Sequence, residues 1–63
     1  MNPDQKLIQS AYEDAIRRVY EKLFEGYTEA AGAPAQESQA EQNFTTGVAM
    51  ARRARDRAVA LLA

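Results

Sequence analysis

The 63-residue chain contains no cysteine, no histidine and no tryptophan. Without cysteine there can be neither disulfides nor thiolate metal sites. Without histidine the commonest metal ligand and the usual general base are both missing. The formal charge is only −1, so no field of one sign draws the chain toward nucleic acid or an acidic membrane. The longest apolar run, Ala58 to Ala63, falls far short of the ~20 residues a membrane span needs. Met1-Asn2-Pro3-Asp4 is polar and acidic, without the basic and apolar regions of a signal peptide, so the expected setting is the cytoplasm. In that setting Asn43-Phe44-Thr45 is a chance match to a glycosylation sequon.

What the chain does have is small residues at helical spacing. Ala40, Phe44, Gly47, Ala51, Ala54, Ala58 and Leu61 recur at alternating steps of four and three, an a/d heptad filled mostly by Ala and Gly. A seam so shallow lets a second helix approach closely, provided that helix brings the bulk. The first half supplies it, with Ile8, Tyr12, Ile16, Val19 and Leu23 at helical spacing. These patterns predict an all-α fold, an antiparallel helical hairpin forming a single domain over residues 1–63.

Punctuation marks the boundaries. Asn2 suits an N-cap, Pro3 the first helical position and Asp4 the positive end of the dipole, while Gln5 can close a capping box. The first helix is expected over about 3–31, with Gly26 as an interior weak point. Gly32 and Pro34 form a stop-and-turn signature at 32–34, and the second helix is expected over about 35–62. Pro34 is favoured as its opening residue over a capping box at Ser38-Gln39-Ala40-Glu41. Thr45-Thr46-Gly47, three poor helix formers in a row, is the place where it would kink or break. With the turn centred on Ala33, facing residue numbers sum to about 66. Val19 then meets Gly47, Tyr12 meets Ala54 and Ile8 meets Ala58, while Ala15 meets Ala51.

The first helix carries more apolar surface than one partner covers. Apolar pairs recur every four residues from Leu7-Ile8 to Leu23-Phe24, followed by Tyr27, and such a stripe drifts roughly 40° per step around the helix. Tyr20, Phe24, Tyr27 and Leu7 are therefore the interface candidates. A chain this small, with no disulfide or metal staple, is expected to self-associate, most readily as a dimer forming a four-helix bundle. A different protein is the other partner considered.

Charge is distributed unevenly. Glu25, Glu29, Glu37 and Glu41 crowd the turn end, and Arg52, Arg53, Arg55 and Arg57 the last third of the second helix. The arginines suit that helix end, whereas Glu25 and Glu29 sit at the wrong end of the first helix for its dipole. An antiparallel dimer accounts for them by setting the acidic end of one hairpin beside the basic end of the other. Within one hairpin, Arg52 and Arg55 are expected near Glu13 and Asp14.

Outward Arg53 and Arg57, with Arg17 and Arg18 of the first helix, are the residues an RNA or DNA contact would use. They scatter around their helices with Asp56 among them and no aromatic to stack a base, which argues against it. The glutamates lack the oxygen-rich loop of a hard-cation site. No nucleophile stands beside a base and no glycine-rich phosphate loop occurs, so no catalytic residue, cofactor or metal is assigned and the chain is read as a non-enzyme. In length and helix-turn-helix plan it resembles the Rop-type RNA-binding plasmid regulators. That resemblance implies a dimeric four-helix bundle and, as an alternative function, nucleic-acid binding by the dimer. It rests on architecture without a shared motif, so no functional residue is carried over.

Overall fold

The structure, a computed structural model, describes residues 3–63. They form two helices packed against each other, α1 (Pro3–Ala30) and α2 (Pro34–Leu62), a hairpin with Cα extents of 45 × 14 × 10 Å. The Asn2 cap lies outside the described residues. Asp4 stands in the first turn of α1, where its charge complements the dipole.

α1 ends one residue sooner than expected. Ala31 and Gly32 both take positive φ, 51° and 87°, and the chain reverses through them. Ala31 N–H donates to the Tyr27 carbonyl at 3.1 Å, and Ala33 N–H to the Ala30 carbonyl at 2.9 Å, so the final carbonyls of α1 are partly satisfied within the turn. Pro34 opens α2, where its fixed φ suits the first helical position and its missing N–H costs nothing. Ala33 is the N-cap in extended backbone, with no side-chain cap, and its carbonyl accepts the Glu37 N–H at 3.0 Å. The Ser38 box is not used, because Ser38 already lies inside the helix.

α2 runs through Thr45-Thr46-Gly47 without a break. Thr45 turns its hydroxyl back onto the Glu41 carbonyl at 3.0 Å, so its oxygen is satisfied inside the helical ladder. Gly47 is there because the helices nearly touch: a Cβ at that position would lie 3.1 Å from both γ-carbons of Val19. Gly26 has the same purpose. A Cβ there would come within 2.7 Å of the Ala40 Cβ, so the residue expected to weaken α1 is instead its tightest contact with α2. Both pairs obey the sum of 66.

Ile8, Tyr12, Ile16, Val19 and Leu23 are all half-buried along the seam, against Ala40, Phe44, Gly47, Ala51 and Ala58. Two members of the expected α2 seam are displaced. Ala54 and Leu61 are exposed, and Arg55 takes the half-buried position. A strict seven-residue repeat drifts about 20° per heptad on a straight 3.6-residue helix, so by the open end the stripe has rolled off the contact line. Arg55 fills the gap by laying its stem along the seam and its guanidinium over the Tyr12 ring, 4.4 Å from the centroid.

The ion pairs expected across the hairpin are also replaced. Among the described residues, Asp14 pairs with Arg17 one turn along α1 at 2.7 Å, and Arg55 pairs with its neighbour Asp56 at 3.0 Å. Glu13 accepts from Gln9 instead. Each of these three acids is met by a partner on its own helix before one across the seam, where exposed pairs contribute only about 0–1 kcal/mol. The last turn of α2 carries no basic residue, so the arginines stop short of the region where they would offset its dipole.

Candidate interaction surface

A hairpin has two broad faces, each showing one flank of each helix. The phenol of Tyr27 in α1 donates to the Glu41 carboxylate in α2 at 2.5 Å, which places these two flanks on one face. Tyr20, Phe24 and Tyr27 fall within about 60° of arc on that flank of α1. On α2 the same face carries Glu41, Val48, Arg52 and Val59 at spacings that keep them on one side of the helix. The hydrogen bond to Glu41 and the neighbouring charges of Glu41 and Glu37 hold the Tyr27 phenol above its ordinary value of 10.

The opposite face is floored by small residues. Ile8, Ala11, Ala15, Ala51, Ala54 and Ala58 line a shallow apolar crevice of about 260 Å³ beside Tyr12 and Arg55. A second crevice of about 210 Å³ continues the face toward the turn, between Lys22 and Asn43 and over Gly26 and Gly47. The first follows from its residue types: where Ala meets Ala, neither helix brings enough volume to close the groove, and in the second Gly26 and Gly47 bring no side chain at all.

The four interface candidates therefore separate. Tyr20, Phe24 and Tyr27 stand together, 58%, 63% and 40% exposed. Leu7, 69% exposed, lies about 140° around α1 from Tyr20 and belongs to the other side of the molecule. Met50 and Leu61 are equally open, 61% and 68%, and had not been singled out as surface. Leu61 is exposed by the heptad drift, and Met50 because it falls outside the repeat.

The arginines do not converge. Arg17 is engaged by Asp14 on α1, and Arg18 lies about 100° around the helix from it. Arg53 and Arg57 stand together on the outer side of α2, beside Asp56, Met50 and Ala60. Among the described residues no three His, Cys, Asp or Glu side chains gather closely enough to hold a metal ion, and no helix is long and apolar enough to cross a membrane. The crevices are lined chiefly by aliphatic groups, which can accept an apolar side chain. Comparison with protein-family models, curated proteins and solved structures finds no match to this chain.

Proposed function

We propose that the chain is a small non-enzymatic interaction protein of the cytoplasm whose working form is a homo-oligomer, in the first instance a dimer built as a four-helix bundle, with its outer faces offered to another protein. The observation that carries this reading is burial. Ala30 alone among the described residues is buried, while Leu7, Tyr20, Phe24, Met50 and Leu61 are each more than half exposed. The chain exposes 4914 Å² at 7.0 kDa, whereas a compact monomer of that mass exposes about 4,000 Å². The difference is close to the ~800 Å² that each partner contributes to a standard protein interface.

Sedimentation equilibrium at micromolar concentration tests the reading. A dimer or larger species, with a melting temperature that rises with concentration, is the expected result. A helical 7 kDa monomer whose melting temperature is independent of concentration would refute it.

A further inference from the structure

The geometry points to the aromatic face as the surface that meets a second copy of this chain, with the two hairpins antiparallel about a two-fold axis passing at the level of Val48. The inference rests on the homo-oligomer reading and adds to it a face, an orientation and a register.

The charge pattern on α2 carries it. Glu41 lies seven residues before Val48 and Arg55 seven residues after; the two heptads roll Arg55 about 40° toward the seam, where it is half-buried at the edge of the same face beside Val59. A two-fold axis at Val48 reverses α2 against its mate and brings Glu41 opposite the partner's Arg55, twice by symmetry. The facing rule puts Arg18 at the level of Val48. About that point Tyr20 falls opposite the partner's Ile16, and Phe24 opposite the partner's Tyr12. One axis thus matches opposite charges on α2 and apolar side chains on α1. A parallel arrangement would instead gather Glu25, Glu29, Glu37 and Glu41 of both copies at one end, eight carboxylates with no cation among them. The opposite face has no such pairing. It offers Leu7, Met50 and Leu61 around a small-residue groove, without a charge pattern that inverts about its middle.

The absence of cysteine makes the test direct, since one introduced thiol is the only labelling site. An Ala33→Cys variant, spin-labelled in the turn, should give an inter-copy distance of about 45 Å, from thirty residues at 1.5 Å each. A label at Val48→Cys should fall within roughly 20 Å of its mate, on either side of the axis. Phe24→Glu should raise the dissociation constant ~10-fold or more, because a charge enters a desolvated contact. Leu7→Glu, equally exposed in the hairpin, should change it less than ~3-fold. Arg55→Glu should weaken association about 3-fold and Glu41→Arg should restore it in the double variant, whereas loss of the Arg55–Tyr12 stack alone would not be rescued. Circular dichroism confirms that each variant keeps its helices. A wild-type monomer overturns this inference together with the oligomer reading. An oligomer with turn labels close together overturns the orientation and leaves the oligomer standing. Long turn distances with dissociation by Leu7→Glu and not by Phe24→Glu overturn the choice of face.

Discussion

The turn half and the open half of the hairpin solve the same packing problem in different ways. Near the turn, backbone approaches backbone: Gly26 admits Ala40, Gly47 admits Val19, and Ala30 is buried behind them. Toward the open end the small residues lie on both helices, with Ala11 and Ala15 meeting Ala51 and Ala54 across a crevice. The first arrangement locks register through excluded volume. The second sets alanine against alanine across a crevice of about 260 Å³, slightly larger than the 210 Å³ one near the turn, and a long cation laid over Tyr12 does part of the work that a buried side chain would otherwise do. Small residues thus tighten a helix pair only when their opposite numbers reach into the space they leave.

Adding a methyl group should separate the halves most sharply at Gly26. Ala is the better helix former by about 1 kcal/mol, yet its Cβ would meet the Ala40 Cβ at 2.7 Å, and overpacking of a fixed contact costs ~1–3 kcal/mol. Gly26→Ala should therefore lower stability by up to about 2 kcal/mol in chemical denaturation. Ala40→Gly in the same chain should recover part of the loss, since it removes the opposing methyl. A Gly26→Ala variant more stable than the parent would mean that the helices do not touch there.

In the open half the leading loss should come from the cation, not from added bulk. Arg55→Met keeps the apolar stem and removes the charge over Tyr12, so it should cost about 0.5–1 kcal/mol at equal protein concentration. Ala54→Leu should be neutral, or stabilising by up to about 0.5 kcal/mol, because the new side chain enters the crevice instead of a filled core. A loss at Ala54 as large as that at Gly26 would erase the distinction between the halves. Gly47→Ala lies between them. Its helix-propensity gain of about 1 kcal/mol is opposed by two contacts of 3.1 Å that Val19 can relieve by moving a few tenths of an ångström, so thermal denaturation should show a net change near zero.

The register was legible because it depends on two long-range facts that a sequence displays, the position of the turn and the alternation of bulk with its absence. Val19 against Gly47 follows from those alone. Gly26 was misjudged because glycine inside a helix reads as weakness until the partner backbone is known to need its space. Ala54 fits the heptad yet lies off the contact line, because over three repeats a straight helix drifts away from seven-residue spacing. Arg55 could have been found by the same arithmetic, since it follows Ala51 by four and precedes Ala58 by three. The division of Leu7 from Tyr20 was legible on a helical wheel, but only after the contact line of α1 was known. The ion pairs were least legible: for exposed charges the nearest neighbour on the same helix wins by small margins.

The smallest effect expected concerns the cross-hairpin hydrogen bond from the Tyr27 phenol. Tyr27 donates to Glu41 across the seam, and the bond, with burial and the nearby Glu41 and Glu37 charges, raises the phenol above its ordinary value of 10. The folded chain holds this proton more tightly than the unfolded chain does. Its contribution is therefore intact below pH 10 and is lost as pH rises through the raised value in the folded state. The difference between parent and Tyr27→Phe isolates the bond. In an ultraviolet titration of phenolate formation, the parent should show a late step above pH 10 that Tyr27→Phe lacks. The stability gap between the two proteins should be constant at neutral pH and narrow above pH 10. A gap that widens there would place the ionised phenolate, not the protonated phenol, in the favourable state, and would remove a polar tie that binds the turn half of the aromatic face.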